Sequence, residues 1–154
     1  MQQAGRGRYF EEFTVGERFV TRGRTITEAD LVTFAAITGD YNPLHVDADF
    51  GKTTQFGERI AHGMLGASYA VGLIAALGLT EGTVIAIVHM TWDFTTPIKI
   101  GDTIHVDQTV KSMRETKKAD RGIIVFEVNL INQRGEVVQK GERVLLVARK
   151  FAQG

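Results

Sequence analysis

A length of 154 residues predicts one domain, and 44% hydrophobic with 23% charged residues is typical of a globular protein with an apolar core. The 18 basic and 18 acidic side chains balance, which disfavours nucleic acid as a partner because no positive charge is in excess. The chain has no cysteine, so disulfides, thiolate metal ligands and a cysteine nucleophile are excluded. Residues 1–13 lack the apolar core of a signal peptide, and we expect a cytoplasmic protein.

The predicted elements begin with a strand over residues 19–26. Thr27, followed three positions later by Asp30, is a start signal for a helix that continues to about Ile37. Gly39 is placed to end that helix, because glycine readily adopts the left-handed conformation found after many helices.

An irregular segment over residues 40–59 comes next, with a short helix predicted at 47–53. It is followed by the longest apolar run, residues 64–79, which is shorter than the roughly 20 residues needed to cross a bilayer. The run therefore predicts a buried helix and no membrane span. No side of this helix is polar, so we expect protein to surround it, with a sheet curling around its small residues.

Beyond this helix the hydrophobic period changes to two, as half-buried strands require. The first strand alternates Met90, Trp92 and Phe94 with polar residues, and three more are predicted at 104–113, 123–131 and 137–148. Short polar links between consecutive strands predict an antiparallel sheet. The fold class is therefore α+β.

The segment TGDYNPLH, residues 38–45, places a carboxylate and an imidazole in a rigid turn. Gly39 allows a sharp bend, Asn42 can hydrogen-bond to its own backbone, and Pro43 restricts the following φ. Such a loop can hold Asp40 and His45 still for proton transfer. The alternative is an Asx turn at Asp40 with a surface histidine.

His62 and Gly63 stand at the start of the apolar helix. Unpaired N–H groups and the positive end of the helix dipole face outward there, which suits a developing oxyanion. The alternative makes His62 a capping or partly buried residue and Gly63 a packing glycine.

Other familiar catalytic or metal-binding patterns are not supported. Ser68 lacks the second glycine of a nucleophile elbow, and neither a phosphate-binding P-loop nor an H-E-x-x-H zinc motif occurs. His45, Asp47 and Asp49 could be considered as metal ligands, but a solvated acidic loop is the better interpretation, and no metal site is expected.

Three segments resemble the MaoC-like dehydratases and the (R)-specific enoyl-CoA hydratases: TGDYNPLHVD, ERIAHGMLGAS and the pattern Phe94-x-x-Pro97-x-x-x-Gly101-Asp102. The resemblance covers roughly residues 19–147. It implies a hotdog fold over 19–150, in which an antiparallel sheet wraps a long central helix, after an N-terminal extension over 1–18. It also implies a homodimer or a dimer-based oligomer whose sheets pair edge to edge.

The resemblance implies (R)-specific hydration of 2-enoyl thioesters, carried by coenzyme A or by acyl-carrier protein, and the reverse dehydration. Asp40 and His45 would be catalytic and share one water, and the Gly63 N–H would bind the thioester oxygen. Asn42, His62 and Arg59 are expected to contact the substrate. No metal or redox cofactor is needed for this chemistry.

Two other functions remain open at this stage. The same fold resembles that of acyl-CoA thioesterases, in which the Asp and His would direct water to the carbonyl. A non-catalytic acyl-CoA-binding module would need no acid–base pair. The basic side chains of the 114–122 hairpin, which could hold coenzyme A phosphates or simply be solvated, are Arg114, Lys117, Lys118 and Arg121.

Overall fold

The computed structural model describes residues 6–150, which form an antiparallel sheet and four α-helices. The strands are β1 (Arg18–Val20), β2 (Arg24–Thr25), β3 (Val84–Phe94), β4 (Thr103–Glu115), β5 (Arg121–Ile131) and β6 (Val137–Ala148). The helices are α1 (Glu28–Thr38), α2 (Pro43–Val46), α3 (Ala48–Thr53) and α4 (Gly63–Ala76). Within residues 6–150, no helix is both long and apolar enough to cross a membrane.

The sheet has the order β1-β4-β5-β6-β3, and β2 also pairs with β4. Alternate residues of β4 and β5 are buried, as the period of two predicts. Leu65, Ala70 and Leu73 of α4 pack in the same core as Val106 and Phe126 of the sheet. This is the hotdog arrangement, an α+β fold in which one face of the sheet holds the central helix.

Local signals fold α1 as predicted. The Thr27 hydroxyl accepts a hydrogen bond from the Asp30 N–H, and the Asp30 carboxylate accepts one from the Thr27 N–H at 2.8 Å. Gly39 follows the helix with φ of 76°, a left-handed conformation that favours glycine. This turn directs the chain into the loop that carries Asp40.

The expectation that protein surrounds α4 on all sides is wrong for the single chain. Met64 is 59% exposed, and Ser68, Gly72 and Ala75 on the same side of α4 are also exposed. One six-stranded sheet covers only one side of a helix, so the opposite side needs another cover. The open side consists of small or apolar residues.

Smaller differences concern the ends of the elements. The strand predicted over 19–26 divides into β1 and β2, and α2 was not expected. Phe10 and Phe13, within the predicted extension over 1–18, are buried in the core. The domain boundary at residue 19 stays a prediction.

Candidate active site

The loop between α1 and α2 is held by its own polar side chains. The Asp40 carboxylate accepts a hydrogen bond from the Asn42 N–H at 3.2 Å, and the Asn42 side chain accepts one from the Leu44 N–H at 3.1 Å. Asn42 thus caps α2, whose first residue is Pro43. This places His45 on a short helix five residues after Asp40.

In each histidine, a hydrogen bond to a backbone carbonyl shows which ring nitrogen carries the proton. His45 Nδ1 lies 2.8 Å from the Ile60 oxygen, and His62 Nε2 lies 2.9 Å from the Asp40 backbone oxygen. A carbonyl oxygen can only accept, so these nitrogens carry the protons and donate. The opposite nitrogen of each neutral ring is then an acceptor, and in His45 this is Nε2.

The two imidazole rings stack. Their centroids are 3.9 Å apart with an interplanar angle of 25°, and His62 is only 3% exposed. Phe34 packs on the His62 ring with a centroid separation of 5.1 Å. His62 therefore packs against one face of the His45 ring. Through its hydrogen bond it also connects the Asp40 backbone to the residue before α4.

An Asp40 carboxylate oxygen and one ring nitrogen of each histidine lie within 4.8 Å of one another. Two acceptors at this separation can both accept from a single water, with hydrogen bonds of about 2.8 Å. A metal ion fits the cluster less well. Its histidine ligands would have to point their lone pairs at one position about 2.1 Å from each nitrogen, whereas the lone pairs of two stacked rings run nearly parallel. His62 Nδ1 is buried without a hydrogen-bond partner among residues 6–150.

Gly63 begins α4, so its N–H has no intrahelical carbonyl to which it could donate. A Cβ at this position would lie 2.8 Å from two carbons of the Phe94 ring. Glycine is therefore required for the ring to lie against the start of the helix. The N–H faces a position where the helix dipole favours negative charge.

Gln139 on β6 is a site residue that the sequence analysis missed. Its Nε2 donates to the Gly63 oxygen at 3.0 Å, and its Oε1 accepts from Trp92 Nε1 at 2.9 Å. A Cβ on Gly66 would lie 2.5 Å from the same amide nitrogen. The available signal was a glutamine at an inward-facing position of an apolar strand.

Two cavities, of about 380 and 300 Å³, meet at His45, Gly63 and Phe94. The smaller cavity contains Asp40 and His62. The larger is mostly apolar, with Leu44, Phe56, Ile60, Ala61, Pro97 and Ile98 in its wall. The polar cluster of Asp40, His45 and His62 thus lies next to an apolar cavity.

The remaining candidates have structural partners. Arg59 is half-buried and paired with Glu28, and this hydrogen bond lowers the pKa of the Glu28 carboxyl. Asp47 caps α3, and Asp49 pairs with Lys52 at 2.9 Å. Substrate contacts by Asn42, His62 and Arg59 stay predictions.

The basic hairpin is partly neutralised by one of its own acidic residues. Arg121 forms two hydrogen bonds with Asp120, at 2.7 and 2.8 Å. Glu115 instead pairs with Arg149, outside the hairpin, at 3.0 Å. The Arg121–Asp120 pair favours a solvated turn over a phosphate site.

Comparison with known proteins places this site in context. A family model described as "MaoC like domain" matches residues 11–129. An (R)-specific enoyl-CoA hydratase of Rhodospirillum rubrum is 35% identical over 139 residues, which cover 90% of this chain and 91% of that protein. A 3-hydroxybutyryl-CoA dehydratase of Methylorubrum extorquens is also 35% identical, over 92% of this chain and 85% of that protein.

A solved structure gives the same fold. The X-ray structure titled monoamine oxidase regulatory protein, from Archaeoglobus fulgius, superposes with a TM-score of 0.89 at 35% identity. The match covers 96% of this chain and 99% of that chain.

Proposed function

Because the chain belongs to the MaoC-like dehydratase family, whose activity is that of a hydro-lyase, we propose that it catalyses the (R)-specific hydration of 2-enoyl thioesters and the reverse dehydration. Asp40, His45 and the Gly63 N–H are the groups that carry the reaction. The observation that supports this most is the closeness of Asp40 and His45, which have polar atoms within 4.8 Å of each other and line one cavity with Gly63 at the start of α4.

Hydration requires oxygen at C3, a proton at C2 and stabilisation of charge on the thioester oxygen. The Asp40 carboxylate and His45 Nε2 are both acceptors, so one water can donate a hydrogen bond to each and turn a lone pair toward C3. As the C3–O bond forms, this pair removes one proton from the water and returns one proton to C2. The sum is addition of H and OH across the double bond, with no net change in the protein.

The negative charge that develops on the thioester oxygen is received by the Gly63 N–H. The helix dipole of α4 strengthens this hydrogen bond, and the donor is already in place before the reaction. Gln139 holds the next peptide group through the Gly63 oxygen. We expect the apolar cavity next to this N–H to take the acyl chain.

The thioester is most readily one of coenzyme A, since the similar proteins of R. rubrum and M. extorquens are named for CoA esters. Acyl-carrier protein is the other possible carrier. A comparison of kcat/KM for one enoyl chain on each carrier decides between them.

A homodimer is part of the proposal. Among the strands of residues 6–150, β3 lies at the sheet edge and pairs with β6 alone. Ile85, Ile87 and Val88 on β3 are exposed. A long apolar edge strand beside the open side of α4 is a surface that pairing with a second copy would cover. Sedimentation should show a dimer or a larger dimer-based oligomer; a stable and fully active monomer would contradict this.

The reaction is tested by hydration of crotonyl-CoA and longer enoyl-CoA esters, followed by loss of the enone absorbance. Asp40→Asn and His45→Gln should each lower the rate roughly 10²-fold to 10⁴-fold, while circular dichroism shows a folded protein. Asp49→Asn and His105→Gln are the matched controls, because they remove the same groups elsewhere. Near-normal hydration by both folded site variants would show that the site is wrong.

The double variant tests the shared water. If Asp40 and His45 act on one water, the double loss should be much smaller than the product of the single losses. Losses that multiply would mean independent roles. Release of free coenzyme A by the unmodified protein, without hydration of any ester, would replace this proposal with a thioesterase.

A further inference from the structure

A third cavity, of about 250 Å³, lies near the end of α4 opposite to Gly63. Its walls are mainly apolar, and include Ile74, Leu79, Phe126 and Leu145. Two polar side chains of the sheet, Gln108 and Arg143, also line it. This size is close to the lower limit of about 300 Å³ for pockets that bind small molecules.

Arg143 is 8% exposed, and its Nε and Nη1 have no hydrogen-bond partner among residues 6–150. Burial lowers the pKa of this guanidinium, and no charged group of the described chain acts on it. An isolated charge away from water is strongly unfavourable unless it is paired. Two donor nitrogens of this guanidinium therefore lack an acceptor within residues 6–150.

Gln108 also has a buried polar atom without a partner in the described chain, but it is an acceptor and not a donor. It is 1% exposed, and its Oε1 has no hydrogen-bond partner among residues 6–150. Such groups are rare in folded proteins, and each one calls for an explanation. An ionised carboxylate cannot donate to Gln108 Oε1, so the case for an anionic ligand rests on the two Arg143 donors in the cavity wall.

We propose that this cavity binds a small aliphatic carboxylate, with its charged group on Arg143 and its alkyl chain against the apolar wall. Guanidinium N–H groups form strong, charge-assisted hydrogen bonds with carboxylates. Glu81, the acidic residue at the rim, is neutralised by Arg6 at 2.6 Å. The cavity interior thus keeps its positive charge.

The carboxylate can be a free acid or the far end of a dicarboxylic acyl thioester. Arg143 lies four residues along β6 from Gln139, roughly 13 Å, which is more than a short acyl chain spans within one protomer. We therefore favour a free short-chain acid. A carboxylate site in this cavity goes beyond the proposed hydratase function, and it is tested by measuring binding of the acid and not by measuring hydration.

The experiment titrates butyrate into the protein by calorimetry, with butyramide as the neutral probe of the same shape. We expect butyrate to bind with a Kd of about 1 mM or lower and to raise Tm, because a ligand of the folded state stabilises it. Butyramide should bind at least tenfold more weakly. The Arg143 Nε–H resonance should shift with butyrate alone.

Arg143→Met should weaken butyrate binding at least tenfold, and Lys140→Met, which removes an exposed charge from the same strand, should not. If Arg143→Met fails to fold, Arg143→Lys serves instead, with weaker binding because a lysine cannot offer the same fork of donors. The proposal would be overturned if butyramide or chloride bound as tightly as butyrate. It would also be overturned if Arg143→Met bound butyrate as tightly as the wild type. The absence of any butyrate binding would overturn it as well.

A second experiment distinguishes a free acid from the carboxylate end of an acyl thioester. A free acid is indicated if butyrate binds without raising the KM for crotonyl-CoA. An acyl-chain end is indicated if butyrate competes with an enoyl-CoA that ends in a carboxylate, and if Arg143→Met raises the KM of that ester but not of crotonyl-CoA.

Discussion

Gln139 and Arg143 lie on the same inward-facing side of β6 and are both buried, but their surroundings are opposite. Gln139 accepts from Trp92 and donates to Gly63, so both polar atoms of its amide have a partner in the protein. Arg143 has two N–H-bearing nitrogens without a partner in the described chain. A buried polar side chain with partners positions its neighbours, whereas one without partners indicates a place for a ligand.

Among the substitutions that change stability, the largest effect is expected at Gln139. Gln139→Met leaves Trp92 Nε1 and the Gly63 oxygen without their partner, and should lower the free energy of unfolding by about 2–4 kcal/mol. Hydration should also fall, because Gly63 loses a support. Urea unfolding measures the first effect and kcat the second. Lys140→Met is the control, and equal stability of the two variants would remove Gln139 from this role.

Gly66→Ala disturbs the same amide without removing it. The new methyl group would lie 2.5 Å from Gln139 Nε2 and 2.6 Å from Ile98 Cδ1, so one of these side chains must move. We expect a loss of about 1–3 kcal/mol in stability, with a fall in kcat in the same direction as for Gln139→Met. Gly72→Ala, which meets no atom within 4 Å, should cause no such loss.

Asp102 is a buried charge with partners, and so is the counterpart of Arg143. Burial by itself would raise the pKa of Asp102, but hydrogen bonds from Gln133 and the Lys99 N–H, with the charge of Arg134, hold it below its ordinary value. The carboxylate then adds stability above its unfolded pKa, about 3.9, and this is lost as pH falls through the lower folded pKa.

Asp102→Asn should therefore cost about 1–2 kcal/mol at neutral pH. The difference from wild type should shrink below about pH 4, where the unfolded chain takes up the proton. Urea unfolding as a function of pH measures this, with the exposed Asp49→Asn as control. A difference that is independent of pH would show that the charge is not responsible.

The smallest expected effect on the free energy of unfolding is a gain and not a loss, and it is expected at Arg143. In the absence of added carboxylate, Arg143→Met should raise the free energy of unfolding by about 1 kcal/mol, since it replaces an unpaired buried charge by an apolar side chain. Thermal unfolding in carboxylate-free buffer is the measurement. A marked loss of stability would mean that the chain already satisfies Arg143.

Features that depend on neighbouring residues could be predicted from the sequence. Thr27, Asp30 and Gly39 delimit α1 because caps act over a few residues, and the period of two in β4 to β6 follows from side chains that alternate across a strand. The motif that contains Asp40 and His45 was visible for the same reason. These parts of the sequence determined the fold class, the family and the centre of the candidate site.

The tertiary structure decided what surrounds that centre. His62 reaches the Asp40 backbone across 22 positions of the sequence, and Gln139 reaches Gly63 across 76. Contacts of this kind depend on strand register and on where α4 lies on the sheet, which no local pattern encodes. The open side of α4 and the unpaired Arg143 have the same origin, because burial is set by the elements that come together and not by a residue's neighbours in the chain.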